Sequence, residues 1–325
     1  MKRSIRSIIL ITLMAVLILS ITVGGSALAA DGKGYTIGFA THHTSNNNYC
    51  TLYFETYNEL IKTKYPDSNF ILMDAKSDVS EQINQIDNLI AQDVDVMIIW
   101  PVNSEALTAS VQAVHDAGIP IVVTNTPLTD ESMELVVCYT GPNSYDEAVM
   151  AAEMMIEGLG EKGGKVVECS GTAGFRTSIE RHQGFVDTIA KADNVEMLDS
   201  QPCDWSAEKA RELVQTYLAT YGDEIAGIYF CDDGAAQGGR AALEAAGKDD
   251  GSIIITSATL FGSGWDAIKA GKMYGSVYQS PIYDATICID TAIAVASGET
   301  VNKDETFETF KVTAENVDEF ERPTW

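Results

Sequence analysis

From Tyr35 onward the sequence alternates short runs rich in β-branched and aromatic residues with longer stretches whose apolar residues recur at helical spacing. A chain patterned in this way is restricted to layered α/β architectures. Tyr35-Thr36-Ile37-Gly38-Phe39-Ala40 reads as a first strand, followed by a helix over Thr51 to Lys64 and a strand at Phe70 to Met73. Ile83, Ile86, Leu89 and Ile90 mark the buried face of a second helix, and Val94 to Trp100 forms a strand stopped by Pro101. Ser104 reads as an N-cap, Leu107, Val111 and Val114 as a buried stripe, and Gly118 as the helix end before a strand over Ile119 to Val123. Because parallel neighbours need a crossover, which is normally helical and right-handed, the repeat predicts parallel sheets covered on both faces.

A second series runs through strands at Gly163 to Cys169, Val195 to Leu198, Ile225 to Cys231, Ser252 to Ser257 and Met273 to Gln279, with helices between them. The expected fold is therefore α/β with two similar lobes. Thr140-Gly141-Pro142-Asn143 separates the series, and Ser280-Pro281 interrupts again before a helix over Tyr283 to Ser297. Such breaks suit crossings between lobes. The boundaries expected are residues 31–141 with 280–310 for the first lobe, and 142–279 with 311–325 for the second.

Residues 1–29 read as an export leader: a basic start (Lys2, Arg3, Arg6), an apolar run from Ile8 to Val23, and Ala27-Leu28-Ala29 as a cleavage site. No cysteine near that site offers a point for lipid attachment, so a free periplasmic protein is expected. About 295 residues remain, enough for two cores. The full chain carries a net charge of −26, and losing the three leader cations makes the remainder more acidic still. Such a surface repels phosphate backbones and anionic lipid, which argues against nucleic-acid or membrane-surface partners. The six cysteines contain no C-x-x-C pair and read as buried thiols acting as small apolar residues.

In open parallel sheets, ligands bind beyond the carboxyl ends of the strands. Those positions hold His42, Asn47 and Tyr49 after the first strand, Trp100 at the end of the third, and Asn125-Thr126 after the fourth. In the second series they hold Gly171 to Arg176, Trp205, Asp232-Asp233, Thr259 and Gln279, with Phe261 and Trp265 nearby. Amides, hydroxyls and carboxylates bond hydroxyl groups while aromatic faces cover C–H faces, a chemistry suited to a neutral polyhydroxylated ligand. Of the adjacent pair Asp232-Asp233, one carboxylate is expected in the cleft. Four histidines without ligand spacing do not predict a metal site, and no cofactor motif or activated nucleophile is present.

Several motifs resemble the ribose-binding-protein family of periplasmic type I solute-binding proteins. They are Ile98-Ile99-Trp100-Pro101-Val102-Asn103-Ser104, Ala117-Gly118-Ile119-Pro120-Ile121, Gly171-Thr172-Ala173-Gly174 followed by Glu180-Arg181-His182-Gln183-Gly184-Phe185, and Tyr278-Gln279-Ser280-Pro281. Carried over residue by residue, that family's pocket falls on His42, Asn47, Tyr49, Cys50, Trp100, Asn125, Thr126, Ile179, Trp205, Asp232, Thr259 and Gln279. The family's pentose and hexose binders usually place an Asp-Arg pair at Asn125-Thr126, a second arginine at Ile179 and an aspartate at Thr259. Arg176, three residues before Ile179, is the candidate replacement donor. The resemblance implies a monomer closing about a hinge near Gly141-Pro142, Gln279-Ser280 and Phe310 to Val312, with an ABC permease as partner and a chemoreceptor or sensor as the second partner class.

A sugar or polyol is the leading ligand class, with a nucleoside, heterocycle or amine as the alternative that the altered pocket leaves open. A membrane-tethered sensor domain and a hydrolase acting through Asp232 or Glu180 are the competing classes. A transcriptional repressor of the same fold needs a DNA-binding headpiece where this chain has an apolar leader. The reading favoured is a binding protein and not an enzyme.

Overall fold

The computed structural model describes residues 34–325; residues 1–29, expected to be an export leader, lie outside the described residues. The first series forms β1 (Thr36–Thr41), α1 (Asn48–Thr63), β2 (Asn69–Asp74), α2 (Val79–Ala91), β3 (Val96–Trp100), α3 (Thr108–Asp116), β4 (Ile121–Thr124), α4 (Asp130–Leu135) and β5 (Cys138–Gly141). The second forms α5 (Ser144–Leu159), β6 (Gly164–Ser170), α6 (Arg176–Ile189), β7 (Val195–Pro202), α7 (Ala207–Tyr221), β8 (Ile225–Phe230), α8 (Asp233–Ala245), β9 (Ile254–Ser257), α9 (Gly262–Lys269) and β10 (Gly275–Tyr278). Then come α10 (Pro281–Ala296), β11 (Asp304–Thr306) and β12 (Phe310–Thr313).

The strands make two six-stranded sheets, ordered β2-β1-β3-β4-β5-β11 and β7-β6-β8-β9-β10-β12. Every pairing in the first is parallel, and in the second only the β10/β12 edge is antiparallel. This is the expected α/β architecture with two lobes of one design. In both sheets the strand order reverses beside the first strand of the series, β1 or β6, so loops leaving neighbouring strands there diverge to opposite faces and open a crevice.

Each sheet has apolar packing on both faces. In the first, Phe39 meets Tyr53, Phe54 and Tyr57 of α1 with ring centroids 5.5–6.5 Å apart, while Ile99, Val111 and Val123 fill the opposite side. In the second, Phe185 stacks on Tyr229 at 4.2 Å, and Val167, Val214 and Ile228 pack across the sheet. The helix α10 follows β10 of the second sheet, yet it packs on α1 and on β3, β4 and β5 of the first.

One local expectation fails. Ser104 does not cap α3, which starts at Thr108 after Leu107; its hydroxyl donates to the Pro127 carbonyl at 2.8 Å. A buried hydroxyl beside an unpaired carbonyl satisfies that acceptor and ties the loop after β3 to the loop after β4. Gly118 does end the helix, at φ +75°. All six cysteines are buried free thiols.

Candidate functional site

A cavity lies between the carboxyl ends of the two sheets. From the first sheet it takes His42, Asn46 and Asn47 from the loop after β1, Tyr49 and Cys50 from the first turn of α1, Trp100 from the end of β3, and Asn125 after β4. From the second it takes Phe175, Thr177 and Arg181 beside and along α6, Trp205 after β7, Asp232 after β8, Thr259 and Phe261 after β9, and Gln279 after β10.

Backbone conformation aims several of these side chains. Asn125, Trp205 and Thr259 adopt φ of +60°, +58° and +60°. Left-handed backbone is unfavourable for residues with a Cβ, most of all for β-branched Thr259, and such conformations cluster where a ligand site needs them. Asn47 serves two purposes, since its side-chain oxygen accepts from the Cys50 amide at 2.9 Å as the N-cap of α1 while the residue lines the cavity. Gly171 is forced by Trp205, because a Cβ there would lie 2.3 Å from the indole Cζ2.

Aromatic groups form the walls. The His42 ring sits 4.7 Å from Trp100 and 5.6 Å from Phe175, and Phe175 lies 6.1 Å from Trp205. Burial, with the neighbouring His43 adding to it, pushes the His42 imidazole down to about 3, so it is neutral near pH 7. Thr126 stands behind this wall: its hydroxyl accepts from Trp100 Nε1 at 3.3 Å and pairs with the Thr177 hydroxyl at 3.0 Å, joining the two halves of the site.

The floor is a chain of polar groups. The Asp284 carboxylate of α10 accepts from Asn125 Nδ2 at 2.7 Å and from the Tyr49 hydroxyl at 2.8 Å. Gln279 Nε2 donates to the Tyr49 oxygen at 2.7 Å, and its Oε1 accepts from Arg181 Nη2 at 3.2 Å. Arg181 also donates to Glu147 Oε2 from Nη2 at 2.7 Å and Nε at 3.2 Å, to the Cys231 carbonyl at 2.6 Å, and to Thr259 at 3.0 Å. Burial pushes Asp284 up to about 7 and raises Glu147, although Arg181 pulls Glu147 back.

Of the adjacent aspartates, Asp232 lines the cavity, where its Oδ1 caps α8 by accepting from the Ala235 amide at 2.7 Å. Asp233 turns away to accept from the hydroxyls of Ser257 and Ser276 and, at 2.7 Å, from the Phe261 amide. Burial pushes Asp232 up to about 6 and Asp233 up to about 7.

Ten of the expected positions, His42, Asn47, Tyr49, Trp100, Asn125, Thr126, Trp205, Asp232, Thr259 and Gln279, are thus gathered at the cavity or directly behind it. Two are not. Arg176 points away, pairing with Asp130 at 3.0 Å and Glu180 at 2.8 Å, and Ile179 is half exposed. Both border a separate groove with Tyr139 and Pro142. The reason is helical phase: Thr177 and Arg181, four residues apart on α6, face the cavity, and Ile179 lies on the other side of that helix. The guanidinium that the family places at the position of Ile179, for which Arg176 was the expected replacement, comes instead from Arg181, 4 % exposed, which stands in a motif already visible in the sequence. Trp265 also lies elsewhere, donating to the carbonyls of Val317 and Phe320. Glu147 and Asp284 carry no local signal, since the first turns of α5 and α10, distant in sequence from the strand ends, bring them beneath the site.

A model of the periplasmic binding protein domain matches residues 37–300. The chain belongs to that family. Among its relatives, the xylitol-binding protein of Mycolicibacterium smegmatis is 28 % identical over 75 % of this chain and 68 % of its own length. The ribose import binding protein of Escherichia coli is 27 % identical over 90 % of this chain and 94 % of its own. A solved solute-binding protein of an ABC transporter from Bacillus halodurans, with bound myo-inositol, superposes with a TM-score of 0.81 at 27 % identity, covering 89 % of this chain and 98 % of that one. The family is one of binding proteins, and the two sheets of this periplasmic binding protein meet its two-lobed architecture.

Proposed function

We propose that this periplasmic binding protein captures a sugar or polyol between its lobes and presents it to the permease of an ABC importer. The observation that carries the reading is the composition of the cavity. Asn47, Asn125, Gln279 and Asp232 bring amide and carboxylate groups to one enclosed space walled by Trp100, Phe175 and Trp205. Hydroxyl groups of a ligand pair with the former, and its C–H faces lie on the latter. The printed names of the relatives, which speak of xylitol, ribose and myo-inositol, support the same class.

Capture proceeds by hinge closure. We take the first lobe as residues 34–141 with 280–309 and the second as 142–279 with 310–325, since Phe310 pairs with Tyr278 beside β10, so the chain crosses near Gly141-Pro142, Gln279-Ser280 and Phe310 to Val312. The Thr126–Thr177 contact and the Arg176–Asp130 ion pair bridge the lobes and belong to the closed form. A ligand favours that form only by its extra affinity for it, which here comes from touching both walls at once. Cleavage after Ala29 or Ala30 releases the protein to the periplasm.

A thermal-shift screen of the chain from Asp31 against pentoses, hexoses, polyols and nucleosides tests this. A ligand at about a hundred times its dissociation constant adds roughly 2.7 kcal/mol, a rise of a few degrees. A response from a sugar or polyol is the expected result; silence from every pentose, hexose and polyol, with a response from nucleosides, overturns the ligand class.

A further inference from the structure

The charges within the cleft narrow the ligand class further, and the narrowing rests on the reading of the site as one for polyols. Among the described residues that line the cavity, Arg181 is the one cationic side chain, since His42 is neutral. Its charge is already engaged by Glu147, which takes both Nη2 and Nε on a single oxygen and is itself fully buried. Asp232, 2 % exposed, forms no salt bridge; the amides of Ala235 and Gly234 orient its carboxylate without bringing a counter-ion, and Arg181 offsets its charge only from a distance. Directly behind Tyr49 and Asn125 lies Asp284, fully buried, with Oδ1 lacking any partner. Glu147 and Asp232 thus set two buried carboxylates against one buried guanidinium, with the Asp284 carboxyl lying behind them.

An uncompensated anion removed from water is costly; a proton relieves that cost at low pH, and above the raised value of about 6 for Asp232 a cation cancels it where a neutral donor does not. A hydroxyl can bond Asp232 but leaves its charge in place. An ammonium removes both deficits, and the rings of Trp100, Trp205, Phe175 and Phe261 around the same space offer π faces that attract a cation. We propose that this cleft selects polyols bearing a protonated amine, with the ammonium seated at Asp232 and the hydroxyl groups on the amide side formed by Asn47, Asn125 and Gln279.

The test is calorimetric titration of the chain from Asp31 with matched pairs: glucosamine against glucose, galactosamine against galactose, an inosamine against myo-inositol, and deoxynojirimycin against anhydroglucitol. The expected result is that in at least one pair the amine binds on the order of tenfold tighter or more, and that Asp232→Asn, which keeps the cap on α8, brings that ratio to within about threefold of unity. Glu147→Gln provides a second variant: it frees the Arg181 charge and should lower the amine preference while leaving Asp232 intact. Neutral members binding as tightly as their amines in every pair overturns the charge argument and leaves the polyol reading standing. An amine preference that survives in both variants overturns it as well. Binding by no member of any pair removes the polyol reading and this inference with it.

Discussion

Arg181 is where fold and function are most tightly joined, and its removal has a magnitude that the structure sets. Replacing it with methionine keeps the stem volume but strips five donated contacts from four partners, Glu147, Cys231, Thr259 and Gln279. The larger consequence falls on Glu147, which is 0 % exposed and already has one oxygen without a partner. Breaking a buried pair by removing one member costs about 3–5 kcal/mol. For a folded unit of this length that is roughly 5–8 °C, at about 2.1 cal/mol/K per residue of unfolding entropy. Part of the cost is relieved when Glu147, already raised by burial, takes up a proton, so the loss should shrink as the pH is lowered. Glu147→Leu alone costs less, because Arg181 keeps its bonds to the Cys231 carbonyl and Thr259 and its attraction to Asp232. In the double variant no buried charge of the pair is left alone, and stability should return to within about 2 kcal/mol of the native chain. Urea denaturation of all four proteins without ligand gives the cycle. A coupling energy of about 2 kcal/mol or more is expected, and one below about 0.5 kcal/mol would refute the assignment of Arg181 and Glu147 as a mutually dependent pair.

The buried carboxyls give stability an unusual pH dependence. Asp232, Asp233 and Asp284, raised to about 6, 7 and 7, hold protons in the folded chain that the unfolded chain has already released, so their contribution is present at low pH and lost as pH rises through those values. His42, lowered to about 3, acts in the opposite sense up to its ordinary value of 6.5 but is outnumbered. The ligand-free melting temperature should therefore be higher at pH 5 than at pH 7.5, by a few kcal/mol or roughly 5 °C, and a rise with pH across that interval would contradict the protonation states assigned. Gly171→Ala sets a Cβ against the Trp205 indole and the Ser178 hydroxyl, and should weaken ligand binding about tenfold or more while costing about 1–3 kcal/mol of stability; unchanged affinity would show that the Trp205 wall is dispensable. Asp130→Ala should alter affinity by less than about fivefold, since its ion pair with Arg176 is open to solvent, and a larger change would mean that this contact governs closure.

The fold was legible because its information is local. Runs such as Val96 to Trp100 and stripes such as Ile86 and Leu89 fix strand, helix and buried face within a few residues, and alternation of the two dictates parallel sheets. The strand-end rule then located most of the cavity, because Asn125, Trp205, Asp232 and Thr259 stand in the loops that leave β4, β7, β8 and β9. Reasoning by position failed on α6, where a carry-over two residues out of phase selected Ile179 on the outer face in place of Arg181. Glu147 and Asp284 were beyond reach for another reason. Each sits in a helix whose own pattern explains it as an ordinary first-turn acid, and only the packing of α5 and α10 beneath the cleft shows that both are buried there. The charge balance of the site is a property of that packing and not of any segment.

Calorimetric titration of the chain from Asp31 with the polyol or sugar that gives the largest thermal shift, run beside Trp205→Ala and followed by chromatographic recovery of the ligand, tests the central claim most directly. Saturable binding of one ligand per chain, lost by more than about tenfold in the variant, with the ligand recovered unchanged, is the result predicted for a cleft that captures and does not react. Equal binding by the variant, or recovery of a converted product, would contradict it.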